Sequence, residues 1–413
     1  MTDGSTSGDD DGLWAYVPPS EARVPQPPVE EKFFTGLSAV RETLARLRDL
    51  GGGDESSATV ERGEEGGAVA EAELLPDTLR DRMAPVPDWT GAVAALDDVL
   101  GPGLEEGPAL VHEAGYDDAP SIVAAWGARH GATVLEPPAR DRLVEEEGAA
   151  WAAAQRTEGT PWVLPCLEHW WVRTPDGLDF VRSLLDAWAE GTLGSGVIGV
   201  DQHAWRYLSQ AWPGQVLCRV APRPLSGEGL GHWFSKLARQ GGGPDGTVEE
   251  WGGGGRVLSV PDRDSAQTAD PAEEIDHSSF LRSLAAYSDG DPGVAWSLWR
   301  HSLLAPGPEA SASSVAAVRS WTDVDRPGRP DDLERTDLLL LHALVLHGGL
   351  TDAVLAHVTP IDQYERRGRL RSLAREGLLT RADGMWRVPP LGYPVVCALL
   401  RDEAYLPDWR SDG

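Results

Sequence analysis

The chain has 413 residues and a formal net charge of −30, from 36 Lys and Arg against 66 Asp and Glu. That length accommodates two or three domains, and that charge works against non-specific attraction to nucleic acid or anionic lipid. Cys166, Cys218 and Cys397 lie far apart, which argues against a disulfide framework or a zinc site, and no apolar run approaches the ~20 residues that span a bilayer.

Met1 to Asp11 is acidic and polar, unlike a signal peptide, so a cytoplasmic protein is expected. Residues 1–75 read as an acidic arm, with 16 acidic against 6 basic side chains. Prolines such as Pro18, Pro19, Pro27 and Pro28 keep its first part extended. One amphipathic helix is expected over 33–50, where Phe33, Phe34, Leu37, Val40, Leu44 and Leu47 recur at helical spacing. The Gly, Glu and Ser of 51–73 predict disorder.

Residues 76–239 read as an α/β domain. A helical lead-in carries Trp89, Val93, Leu96 and Leu100 on one face. Strands are then expected at 109–113, 132–135, 162–168, 197–201 and 215–220, separated by helices. This alternation implies a parallel sheet covered on both faces. The glycines of 240–274 predict a flexible insertion, because neither glycine run follows a strand or opens a helix. Residues 275–325 read as a helical pair broken at Gly290-Asp-Pro-Gly293. Over 330–410, three helices and a hairpin turning at Asp383-Gly384 are the parts of a winged helix.

Open α/β sheets bind ligands at the carboxyl ends of their strands, so the loops 114–121, 168–173 and 201–205 are the expected lining of a cleft. The first loop, with Gly115, Tyr116 and Ser121 as cleft candidates, has one glycine, two aspartates, a proline and no lysine. A phosphate cradle needs inward N–H groups, glycines to turn them and a Lys to neutralise charge. Asp117 and Asp118 repel a triphosphate instead. Glu168 and Asp201 end apolar runs and are the candidate catalytic carboxylates. The plainer readings are an ion-paired strand end for Glu168, with Arg173 or His169, and a helix N-cap for Asp201. His112 and His169 lack partners at ligand spacing, so no metal is expected. The tryptophans are chiefly core, with Trp170-Trp171 the favoured partner-contact patch.

The order of these parts over residues 85–400 resembles the AAA+ superfamily of P-loop ATPases, especially its STAND and origin-recognition branch. Trp162–Glu168 resembles the Walker B strand, whose acid in the family holds magnesium or polarises water. Val197–Asp201 resembles the sensor strand, and Gly290–Gly293 the Gly-x-Pro turn of the lid. The resemblance implies ATP and magnesium. The chain departs from it at three points: no GK[ST] in the phosphate loop, one Walker B carboxylate instead of two, and Gly293 where relatives place the lid arginine. No cofactor is therefore expected, unless the degenerate loop still binds ATP with magnesium.

Residues 361–388 are locally basic, with seven Arg against four acids. Arg366, Arg367, Arg371 and Arg375 are the candidate contacts for DNA or a protein partner. The favoured expectation is a non-hydrolysing AAA+-derived regulatory or scaffold protein acting through protein contacts. The alternatives are a winged-helix DNA-binding regulator and an ATP-dependent switch with an unorthodox phosphate loop. The sequence leaves the oligomeric state open.

Overall fold

The computed structural model describes residues 12–28, 72–103, 109–112, 121–140, 142–143, 146–216, 218–252, 255–260, 278–324, 326–330 and 332–407. The expected helix over 33–50, the disorder expected over 51–73 except its last two residues, and the loop positions Gly115 and Tyr116 lie outside these residues.

A mixed α/β fold is built on a six-stranded sheet. Its strands are β1 (Tyr16–Val17), β2 (Ala109–His112), β3 (Thr133–Val134), β4 (Trp162–Leu164), β5 (Gly196–Val200) and β6 (Cys218–Pro222), in the spatial order β1-β6-β2-β5-β4-β3. Strands β2 to β6 are mutually parallel, and β1 joins the edge antiparallel, with Tyr16 opposite Pro222. Side chains alternate between two cores, as the strand period of two requires. Leu110, Trp162, Leu164 and Ile198 face one core, while Val111, Val163 and Val197 face the other.

The intervening helices start where side chains satisfy their free N–H groups. After α1 (Asp77–Met83) and α2 (Thr90–Gly103) comes α3 (Ile122–Arg129), where the Ser121 hydroxyl accepts from the Ala124 amide. Then come α4 (Gly148–Gln155) and α5 (Pro175–Ala189), whose cap Thr174 accepts from the Gly177 amide. Asp201 caps α6 (Gln202–Ala211), and Ser226 caps α7 (Gly227–Gln240). Helix α5 buries Phe180, Val181, Leu184, Leu185 and Trp188, one stripe at helical spacing.

The expected flexible insertion over 240–274 is corrected for its described part. Residues 246–250 and 256–260 are strands β7 (Gly246–Glu250) and β8 (Arg256–Val260), paired antiparallel. With β9 (Leu303–Leu304) and β10 (Ser314–Val318) they form a second sheet, ordered β8-β7-β10-β9. Buried Val248, Val257, Leu258 and Val260 hold this sheet in the second core, beside α8 (Ser279–Tyr287) and α9 (Pro292–Ser302). Gly252 follows β7 and Gly255 precedes β8, the two strands of this antiparallel pair. The segment expected to be a purely helical pair thus also carries two strands.

The C-terminal unit comprises α10 (Arg335–Leu346), β11 (Leu350–Thr351), α11 (Asp352–Val358), α12 (Gln363–Arg375), β12 (Thr380–Ala382), β13 (Met385–Arg387) and α13 (Tyr393–Asp402). Its strands form an antiparallel sheet ordered β11-β13-β12. A reciprocal capping box between Glu334 and Asp337 starts α10, whose Leu340, Leu341 and Leu344 are buried. They belong to the same core as Leu164 and Ile198, so this unit is continuous with one face of the main sheet. Among the described residues no helix is long and apolar enough to cross a membrane.

Candidate functional site

The first parallel strand, β2, lies between β5 and β6, so the chain winds outward from it in both directions. A crevice is expected at the carboxyl end of such a switch point. A cavity of about 810 Å³ opens there. Its walls come from the segment 18–24, the end of β2 at His112, helix α6, the end of β6, the turn 287–292 and the start of α13.

Each wall has a local cause. The short antiparallel pairing of β1 with β6 lays the Pro18–Pro19 stretch along the rim. Gly290 lets the turn before α9 dock, since its φ is +76° and a Cβ would lie 2.5 Å from the Pro224 Cβ. The Leu225 amide donates to the Gly290 carbonyl at 2.9 Å. Asp291 then caps α9 by accepting from the Val294 amide at 2.9 Å, with Pro292 in the first turn.

Charge in the cleft is divided. Arg219, exposed on β6, places a terminal nitrogen 3.3 Å from His112 Nε2 and its guanidinium carbon 5.7 Å from the centre of the Trp205 ring. Burial, with Arg219 adding, pushes His112 down to about 3, so its imidazole is neutral. Because a guanidinium only donates, Nε2 is the acceptor and Nδ1 carries the proton. Among the described residues neither His112 Nδ1 nor Trp205 Nε1 has a hydrogen-bond partner. Opposite stand Asp201, Asp289 and Asp291. Desolvation raises Asp291 to about 7 against the opposing amides of Val294 and Gly293, with Asp201 and Asp289 adding to the rise. Asp289 is 3.6 Å from Arg401. Among the described residues no group of three or more His, Cys, Asp or Glu is placed to hold a metal ion.

Of the described residues expected in one cleft, Asp201 is in the cavity wall and Glu168 and Ser121 are not. Asp201 is in the wall, but its carboxylate accepts from the His203 and Ala204 amides at 2.7 and 3.2 Å and from the Tyr393 hydroxyl at 2.5 Å. Glu168 lies beyond β4 in a short 3-10 turn, Leu167–His169, and is 2% exposed. It accepts from the Asp201 amide at 3.4 Å, and a Cβ on Gly348 of the C-terminal unit would come within 3.1 Å of its Cγ. Ser121 caps α3 with its hydroxyl.

Two further expectations are corrected. Trp170 and Trp171 are 1% and 0% exposed and offer no partner surface. The Trp171 ring lies 4.2 Å from that of His347 in the C-terminal unit and stacks on Tyr207 of α6 at 5.2 Å, and Trp170 lies 6.4 Å from the ring of Phe180 on α5. Arg366 is also buried, donating to the Ile361 carbonyl at 2.8 Å, so it is not a surface contact. Arg367, Arg371 and Arg375 remain exposed on α12, and Tyr364 joins them at 87% exposed. Sequence reasoning passed over Arg219, Tyr393 and the rim at 18–24. Arg219 carried a signal, as the one charged side chain in the strand Cys218–Pro222.

No family model matches the chain, and no curated protein matches it. Among solved structures, the chain is similar to the Aeropyrum pernix ORC2 protein, determined as ADPNP and ADP complexes. The identity is 12% and the TM-score 0.34, over 80% of this chain and 98% of that one.

Proposed function

We propose that this chain is a non-hydrolysing, AAA+-derived regulatory or scaffold protein, with a degenerate nucleotide domain, a lid and a C-terminal winged helix. The observation that carries this reading is the state of Glu168 and Asp201. A catalytic acid must reach magnesium or the attacking water. Glu168 is instead buried against the C-terminal unit, and Asp201 is occupied as a helix cap and as the acceptor of Tyr393. The parallel order, with β2 between β5 and β6, supports descent from a nucleotide-binding sheet. Thermal-shift titration with ATP and magnesium tests the reading, because a ligand selective for the folded form raises the melting temperature. No shift and no phosphate release are expected. A shift that is lost in Glu168→Gln overturns the proposal.

A second reading, DNA binding by the winged helix, draws on the exposed row Tyr364, Arg367, Arg371 and Arg375. Gly368 sits in the same row, and a Cβ placed there would meet nothing within 4 Å, so no internal packing requires a glycine. Binding to duplex DNA that falls steeply with salt, and a slope reduced by about one in Arg371→Ala, would favour this reading.

A further inference from the structure

We infer that the exposed row on α12 formed by Tyr364, Arg367, Gly368, Arg371 and Arg375 is a docking face for an acidic helix of a protein partner, with carboxylates four residues apart. The inference rests on the reading of the chain as one that acts through protein contacts, and it names the surface and the chemistry of the partner. Three observations support it.

The first is alignment. At about 100° per residue, these five positions fall within about 100° of one another around the helix, opposite the buried Arg366, Leu370 and Leu373. The second is that the arginines at the centre of the row are left over. Around them, Arg366 donates to the Ile361 carbonyl, Arg369 pairs with Glu334 and Asp337, and Arg381 pairs with Asp352. Arg367 and Arg371 have no hydrogen bond or ion pair among the described residues, in a chain of 66 Asp and Glu against 36 Lys and Arg. The third is the company they keep. Tyr364 is 87% exposed at one end of the row, and Tyr and Arg are the side chains that anchor protein interfaces. Gly368 costs α12 about 1 kcal/mol of helix propensity, and nothing within 4 Å requires it. It leaves the middle of the row flat, where a partner can approach the backbone closely.

Charge and spacing select the partner. Arg367, Arg371 and Arg375 recur every four residues, about 6 Å along the helix. Glutamates at every fourth position of a facing helix repeat at the same interval, so each guanidinium can meet one carboxylate through charge-assisted hydrogen bonds. The exposed Glu365 and Glu376 stand along one side of the row. A duplex flanks a helix in its groove with the phosphates of both strands, and these two carboxylates oppose one strand. A single acidic helix lying on the row avoids them.

The test is the fluorescence anisotropy of labelled probes with the full chain at low salt. The probes are an alanine-based helical peptide with Glu at every fourth position, its Gln counterpart, a peptide with the same glutamates scattered around the helix, and duplex DNA. The spaced-Glu peptide is expected to bind, the scattered one more weakly and the Gln one not at all. Arg367→Ala and Arg371→Ala should each weaken binding about threefold. Gly368→Leu should weaken it while raising the melting temperature. Arg381→Ala removes the same charge from outside the row and should leave binding unchanged. All four positions are exposed, so the variants fold, which circular dichroism verifies. No binding of the spaced-Glu peptide overturns the inference, as does equal weakening by Arg381→Ala and Arg371→Ala. Duplex DNA that binds more tightly than the peptide, and is lost in Arg371→Ala, overturns it in favour of DNA binding. The ATP titration on the same samples separates the two levels. Without an ATP shift, failure of the peptide removes this inference alone, whereas a shift lost in Glu168→Gln overturns the reading beneath it.

Discussion

The Tyr393 hydroxyl donates to Asp201 Oδ2 at 2.5 Å across 192 residues of sequence, tying the first turn of α13 to the cap of α6. A hydrogen bond to a charged acceptor is worth about 1.5–3 kcal/mol. Tyr393→Phe should therefore lower the free energy of unfolding by about that amount in urea. Asp201→Ala should cost more, since it also removes the helix cap, worth about 1 kcal/mol. Equal losses in the two variants would show that the cap contributes nothing.

Acid should destabilise this protein from about pH 6.5 downward. Burial lowers His112 to about 3 and His342 to about 4, and it lowers His203 and His347 as well. Below pH 6.5 the unfolded chain binds protons that these folded imidazoles refuse, so stability falls as pH falls through that window. His347 is the sharpest case. It is fully buried, neither ring nitrogen has a partner among the described residues, and Arg140 and Arg173 oppose its charging. His347→Leu should leave stability at pH 7.5 unchanged or raise it by about 1 kcal/mol, and should move the acid transition to lower pH. A transition midpoint that stays in place would refute this assignment.

Asp291 works in the opposite direction. Its folded value of about 7 lies above the usual 3.8, so the folded state holds a proton that the unfolded chain releases. Stability from this group is present at low pH and is lost as pH rises toward 7. Asp291→Asn keeps an acceptor for the Val294 amide while removing the ionisation. Denaturation measured from pH 4 to 8 should show the variant gaining on the parent as pH increases.

Gly196 of β5 lies against the Trp162 ring, where an added Cβ would fall 2.0 Å from Cε2. The indole is fixed, since its Nε1 donates to the Leu193 carbonyl at 2.8 Å. Gly196→Ala should cost about 1–3 kcal/mol through overpacking, and Trp162→Phe should recover part of that loss in the double variant.

Gly368 of α12 predicts the reverse sign. Its surroundings are open, so Gly368→Ala should stabilise the fold by about 0.5–1 kcal/mol. If duplex DNA binds, the same substitution should weaken it, because a methyl group would stand where the nucleic acid meets the helix. Unchanged affinity would place the contact elsewhere.

The main sheet was legible because each strand is a short apolar run closed by Gly, Pro or a polar residue, as at Gly196–Val200 before Asp201. The second sheet was not legible. Glycines at 241–243 and 252–255 masked the strands that carry Val248 and Val257, Leu258 and Val260, and β10, the parallel partner of β7, lies far along the sequence. The fate of Trp170, Trp171 and Glu168 was also hidden. Local sequence places them at a strand's carboxyl end, normally open to ligand, and distant segments, Tyr207 of α6 with His347 and Gly348 of the C-terminal unit, pack over that end. Arg366 was misplaced for a related reason: a charge in a basic row reads as solvated, whereas the Ile361 carbonyl gives it a buried acceptor.

The rim of the cleft has a consequence for how the protein is made. One wall comes from residues 18–24 and another from Tyr393, Pro394 and Cys397. Domains fold progressively as a chain is synthesised, so the sheet can assemble while this cavity still lacks a side. The cavity becomes whole only when translation has passed Cys397, and a nascent or truncated chain would carry the sheet with one side of this cavity unfinished.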